Sequence, residues 1–309
     1  SLQTLQLSGH PPFYDFHLNE PFERKPILLP RLTKLILEFD HFYAISAILS
    51  LIRLPSTSHT SATAKVDTDS TDRYLLSFLD AYCDARGPIL AASELRIDTL
   101  IQSEMTQFKS TTDLRIFGPQ IRHALSDPLP LLTCRMISAH RSRLQNCIIP
   151  FNLRQECPRI DLSSVESVSL RISTDIGTGC PRPSQSMILQ AYQVPPSFWE
   201  SVPACQTLNI ESTYALLQLL PYINQETARL LREPKTSLRL YETLGSLQSI
   251  IISAVDKPSV VMVENIIQYA QARAEGGNPL QLIRFQECQL SSAVSQLLAE
   301  TRIQEIEIC

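Results

Sequence analysis

His10 and His17 lie beside Asp15 and Glu20, nitrogen and carboxylate donors of the kind that hold zinc. Two histidines without a third convincing ligand fit a surface loop better, so no metal site is assigned to them. Glu305 and Glu307 stand two apart, on one face of a strand, the pairing that acid–base chemistry would use. At the chain end, with no pocket implied, they fit a solvated edge. The stretch "DIGTGC" (175–180) offers Gly177-Thr178-Gly179 after a strand. A phosphate cradle needs a helix N-terminus there, but Arg182 holds the third glycine position and a proline-rich loop follows. Cys147 and Cys157 have no activating base in view and fit core thiols. No G-x-S-x-G, H-E-x-x-H or Walker-type loop occurs. The chain therefore presents no catalytic set and no cofactor site, and it reads as something other than an enzyme.

Composition narrows the classes further. The 309 residues are 44% hydrophobic and 19% charged, enough for a large core. A formal charge of -4 gives no electrostatic reason to expect nucleic acid or an anionic membrane. The basic cluster His140-Arg141-Ser142-Arg143 fits a solvated surface. The longest apolar stretch, Ala44 to Leu54, is broken by Ser46, Ser50 and Arg53. It falls short of the roughly 18 residues of a membrane span. Eight cysteines lie far apart with no C-x-x-C, and there is no N-x-S/T sequon. A reduced protein of the cytoplasm or nucleus is the simplest expectation. No signal peptide opens the chain. The first residue is Ser1, not Met, so the expectation is a fragment whose true N-terminus lies upstream.

The elements that would position any functional residue follow from a recurring pattern. Runs of the form apolar-x-x-apolar-x-apolar begin at residues 2, 32, 92, 165, 205, 247, 280 and 303, with a weaker member, "TTDLRI", at 111. Prolines precede several of them: Pro30, Pro203 and Pro279. A proline cannot donate to a sheet, so these read as strand entrances. Between the runs lie amphipathic stretches. The clearest runs from about Pro258 to Arg273, with Asp256 as cap and Gly276-Gly277 as stop. Others follow the strands at 32 and 205, and "SSAVSQLLAE" (291–300) links the last two strands. The repeating unit is strand then helix, which predicts parallel strands joined by right-handed crossovers. Residues 56–73 read as a polar loop or degraded unit, with a helix at "YLLSFLDAY". Residues 118–164 read as an irregular repeat or insertion.

"LQLIRFQECQL" (280–290) matches the leucine-rich-repeat pattern L-x-x-L-x-L-x-x-[N/C]-x-L at every specified position. Elsewhere the N/C site holds Asp40, Ser173 or Thr213. The chain resembles the divergent leucine-rich C-terminal region of fungal F-box proteins. The carriers are "PRLTKLILEFD" with its following helix, "FWESVPACQTLNI" and "NIIQYAQARAEGGNPLQLIRFQECQL". The resemblance implies a single domain over 1–309: an irregular leucine-rich-repeat solenoid, or horseshoe, of α/β class. Its parallel sheet would line the concave face and its helices the convex face. It also implies a protein substrate held on the repeats, and an F-box upstream that binds the adaptor of a cullin-RING ubiquitin ligase. No F-box is visible in this chain.

In such a solenoid the x positions of each strand face outward. One row would contain Gln6, Ile36, Arg96, Arg115, Ser169, Asn209, Ile251, Arg284 and Glu307. The next, two residues on, would contain Ser8, Glu38, Asp98, Phe117, Arg171, Glu211, Ser253 and Gln286. Arginine and aromatic residues dominate protein-recognition hot spots. The residues expected to bind a partner are therefore Arg96, Arg115, Phe117, Arg171 and Arg284, with Glu38 and Asn209 beside them. Two rivals stand against this reading: a leucine-rich scaffold without a ubiquitin role, and an α/β enzyme, which would need a switch-point crevice with convergent polar groups.

Overall fold

The structure is a computed structural model that describes residues 2–9, 25–65, 71–87, 90–104, 107–118, 129–140, 160–176, 180, 183–192, 194–232, 244–300 and 306–308. In chain order the elements are β1 (Thr4–Gly9), β2 (Ile27–Leu28), β3 (Lys34–Phe39), α1 (Phe42–Ser50), β4 (Ile52–Arg53), β5 (His59–Lys65), α2 (Thr71–Arg86) and β6 (Leu90–Ala91). Then follow β7 (Glu94–Glu104), β8 (Gln107–Phe117), β9 (Leu132–His140), β10 (Ile160–Asp161), β11 (Ser167–Ile176), α3 (Gln185–Ala191) and α4 (Pro196–Ser201). The chain closes with β12 (Thr207–Ile210), α5 (Thr213–Arg232), β13 (Ser249–Ser253), α6 (Val260–Glu275), β14 (Leu282–Gln286), α7 (Ser292–Glu300) and β15 (Ile306–Ile308).

One entry device recurs. The N–H groups of Leu32, Ser58, Val165, Cys205 and Leu247 each donate to the carbonyl three residues back, at 3.0 to 3.1 Å, and a strand starts within two residues. Pro30 and Pro203 occupy the second position of two of these turns, where a fixed φ near -65° suits the turn. The prolines thus belong to the turn before the strand rather than to its first residue. A second device repeats beside it. The carbonyl of Gln3 accepts from two successive N–H groups of the next unit, Thr33 and Lys34; Ser93, Glu166, Gln206 and Gln248 do the same for the units that follow them in the sheet.

Eleven strands form one sheet in the order β1-β3-β5-β9-β8-β7-β11-β12-β13-β14-β15. Strand alternation sends every second side chain to each face. Register then aligns one inward row as Leu35, Thr60, Leu132, Ile116, Leu95, Val168, Leu208, Ile250 and Ile283. A second row, two residues along, is Leu37, Ala62, Cys134, Leu114, Ile97, Leu170, Ile210, Ile252 and Phe285. All are buried, and all but Thr60 share one cluster with the apolar faces of the helices, for example Phe42 and Ile45 of α1, Leu216 and Leu219 of α5, and Ile266 and Ile267 of α6. Each buried Leu, Ile, Val or Phe among them contributes about 1.5–3 kcal/mol relative to exposure.

The expectation of an all-parallel sheet fails at one strand. Every pairing is parallel except those of β8, which runs antiparallel to both β7 and β9. No crossover fits between β7 and β8, because a parallel return needs a dozen or more residues and only Met105 and Thr106 separate them. Chain reversal at a hairpin is the available solution. As a result "TTDLRI" is not a further parallel unit, and the stretch 118–164 contributes β9, which returns to pair with β5. Residues 59–65 form a full strand instead of a polar loop; its inward side chains are Thr60, Ala62 and Ala64, too small to show in a hydrophobic template.

Helix positions agree more closely. α6 begins two residues after Pro258 and is capped by Ser259, whose Oγ accepts from the N–H of Met262, rather than by Asp256. It ends at Gly276, with Gly277 at φ +82°. α2 and α7 fall on the stretches that predict them. No helix among the described residues is long and apolar enough to cross a membrane.

Two helices close their own units with the same clasp. Arg273 near the end of α6 is buried, donates to the carbonyls of Leu244, Gly245 and Asn278 and to the hydroxyl of Tyr269, and lies over the Tyr269 ring at 5.7 Å. Arg86 at the end of α2 donates to the carbonyls of Ser56 and Ser58 and to the hydroxyl of Tyr82, and lies over that ring at 5.8 Å. In each case an arginine four residues after a tyrosine grips the turn that leads into its own unit's strand. The sequence signature is Y-x-x-A-R, "YCDAR" and "YAQAR".

Candidate polar sheet face

Opposite the helices, the outward side chains of the strands form a second set of rows. The first holds Gln6, Ile36, Ser61, Thr133, Arg115, Arg96, Ser169, Asn209, Ile251, Arg284 and Glu307 in register. Every member expected from the sequence is there, and Ser61 and Thr133 join from strands the pattern did not reveal. Ile36 and Ile251 are partly exposed and lie outside the core cluster.

The next row differs from expectation. It runs Ser8, Glu38, Thr63, Arg135, Asp113, Asp98 and Arg171. Because β8 is reversed, Asp113 takes the place expected for Phe117. Phe117 pairs instead with Glu94 at the other end of the strand, is buried, and has the Arg96 guanidinium over its ring at 4.8 Å. Phe117 is therefore a support for Arg96 and not an exposed anchor.

The centre of this face is a compact charge lattice. Arg96 and Arg115 are direct cross-strand partners, and so are Asp98 and Asp113. Asp113 is the keystone: its Oδ1 accepts from Arg135 Nε at 2.7 Å, and its Oδ2 from Arg135 Nη2 at 2.7 Å and Arg115 Nη2 at 3.2 Å. Burial would by itself raise the Asp113 pKa, but the hydrogen bonds and charges of Arg135 and Arg115 outweigh it and hold the carboxyl below its ordinary value. The hydrogen bonds to Asp113 in turn push the Arg135 pKa up, with Asp98 and Glu38 adding to its field. Arg96 is ion-paired with Glu94. The side chains of Arg96, Arg115 and Arg135 remain 44%, 36% and 48% exposed, so these guanidinia still meet solvent.

The other expected residues lie farther out. Arg171, on β11 beside Asp98, is exposed. Asn209 donates to Ser169 Oγ at 3.1 Å, Glu38 stands exposed on β3, and Arg284 pairs with Glu307 on the neighbouring strand at 2.5 Å. The face thus brings together Arg96, Arg115 and Arg171, with Asn209 on the strand next to that of Arg171, and leaves Arg284 and Glu38 several strands away. Sequence reasoning missed Asp113 and Arg135. The alternation Leu132, Cys134, Met136 against Thr133, Arg135, Ile137 was the signal for the strand that carries Arg135.

Other sites offer less chemistry. His10, His17, Asp15, Glu20, Gly177, Thr178, Gly179, Arg182, Cys147, Cys157, Glu305 and the run Arg141 to Arg143 lie outside the described residues. Among the described residues no group of histidine, cysteine and carboxylate side chains could hold a metal. Burial pushes the thiols of Cys134 and Cys288 up and that of Cys205 up to about 12, so they stay protonated at neutral pH. A cleft of about 410 Å³ between α3 and α5 is lined by Leu189, Gln190, Gln218 and Tyr222 among others, with no carboxylate, histidine or thiol. Family models, curated proteins and solved structures yield no match to this chain.

Proposed function

We propose that this chain is a non-enzymatic protein-binding module, an irregular leucine-rich-repeat solenoid that serves as the substrate-recognition region of an F-box subunit in a cullin-RING ubiquitin ligase. The carrying observation is the polar sheet face: one outward row continues across all eleven strands and a second across seven, opposite the face that the helices cover. The repeated entry turn and the shared carbonyl acceptors support the solenoid reading, since they are the marks of a stacked unit. Arginines on that face, held by Asp113 and Glu94 yet open to solvent, suit recognition of another protein. The ubiquitin link rests on the resemblance of "LQLIRFQECQL" and its preceding helix to the F-box proteins.

Charge reversal at Arg96, Arg115 and Arg284 together tests the binding reading. Proteins crosslinked to the wild-type face in cells are expected to be lost, with the circular dichroism spectrum of the folded chain retained. Unchanged crosslinking would remove the polar face as the binding surface. The ubiquitin link is tested separately on the full-length protein, which is expected to co-purify with the ligase adaptor and cullin. Their absence would leave a leucine-rich scaffold with no ubiquitin role.

A further inference from the structure

Like charges placed directly opposite each other on neighbouring strands are unfavourable, yet Arg96 and Arg115 are so placed at the centre of the polar face. The local sequences explain the symmetry: "ELRID" and "DLRIF" pair antiparallel, with the two arginines at the midpoint. Each arginine leans toward the acid two residues earlier on its own strand, Glu94 or Asp113, in opposite directions. Arg135 and Arg171 flank them one row along, on β9 and β11. Over these four strands and two rows, four arginines meet two aspartates, Asp98 and Asp113, and counting Glu94 still leaves one positive charge in excess. The Arg171 side chain has no hydrogen bond or ion pair among the described residues.

We infer that this lattice docks an extended acidic segment of a partner protein, with spaced glutamate or aspartate carboxylates reaching Arg96, Arg115 and Arg171 in turn. Guanidinium forks match carboxylates in this geometry, and Asp113 and Phe117 fix two of the forks in advance. Single, spaced carboxylates fit the face better than a polyphosphate, because Glu94, Asp98 and Asp113 stand among the arginines and would repel a continuous anionic backbone. The partly exposed Ile36 and Ile251 farther along the row offer contacts to the apolar residues of such a segment. This inference rests on the polar face being the binding surface proposed above.

The probe is a short fluorescent peptide alternating glutamate and valine, which in extended form puts its carboxylates on one side. Its reference is the same peptide with lysine for glutamate. Wild type is expected to bind the glutamate peptide, more weakly as salt rises, and not the lysine peptide. R96Q/R115Q is expected to weaken binding by about tenfold or more. Arg171→Gln, which removes no described intramolecular bond, should weaken it by a smaller factor without touching the melting temperature. Arg284→Gln should leave it unchanged. Equal binding of both peptides, unchanged affinity in R96Q/R115Q, or tighter binding of a single-stranded oligonucleotide would each overturn the inference. If crosslinking in cells still depends on the face in that event, the binding reading stands without it; if crosslinking is also unaffected, both fall.

Discussion

The C-terminal units, from β12 to β15, and the central strands, β7 to β9, solve the same problem in opposite ways. In the C-terminal units a helix covers each return, strands are three to five residues long, and the inward side chains are aliphatic or Phe285. In the centre, β8 pairs antiparallel with β7 and β9, strands reach nine to eleven residues, and hydroxyls enter the inward rows beyond the first two: Thr99, Ser103, Ser110, Thr112 and Ser138 are all buried, beside Ile101 and Met136. Thr99 and Thr112 meet there, oxygen to oxygen, at 3.1 Å. The longer central strands widen the polar face, and their inward ends then have to satisfy hydroxyls where aliphatic packing would otherwise serve.

That contrast can be broken or sharpened by substitution. The largest effect is expected from Arg273→Ala in the C-terminal region, which removes a buried guanidinium that ties α6 to the carbonyls of Leu244, Gly245 and Asn278; a loss of about 3 kcal/mol or more should appear in urea unfolding. Asp113→Asn in the centre should cost about 1–2 kcal/mol, because its arginine partners keep access to water. The native Asp113 pKa lies below the ordinary one, so its contribution is present above the unfolded pKa and lost as pH falls through the native value. Wild type should therefore lose more stability than Asp113→Asn in acid, and parallel pH profiles would contradict the keystone role.

Smaller effects probe the hydroxyl pair. Thr112→Val alone should cost about 1 kcal/mol by leaving Thr99 unpaired, while the double change T99V/T112V should recover much of the loss, since both polar groups are then gone. A double-variant cost equal to the sum of the separate Thr99→Val and Thr112→Val costs would mean that the pair is not coupled. Last, Arg284→Gln should change stability by less than about 0.5 kcal/mol in a thermal melt, as its pair with Glu307 is a third exposed on both sides. A larger loss would make the C-terminal ion pair structural.

Much of this was legible in the residues. The apolar-x-x-apolar-x-apolar runs at 32, 165, 205 and 247 mark an entry turn followed by an inward strand, because the first apolar residue closes the turn and the next two face the core. The outward row followed from the same alternation, and so did the pairing of Arg96 with Arg115. Strand direction did not. "DLRIF" alternates identically when read backwards, so period two cannot report a reversal; only the short spacing from β7 to β8 could have done so. Strand β5 was hidden by Thr60, Ala62 and Ala64, and the clasps by arginines that look like ordinary helix-end charges.

The reversed strand also constrains how this architecture can change length. Where every strand points the same way, a whole turn, strand and helix could be gained or lost and the neighbours would still meet in the correct sense. Removing β8 alone would leave β9 continuous with β7 in the wrong orientation, so the middle of the molecule can grow or shrink only by two strands at a time.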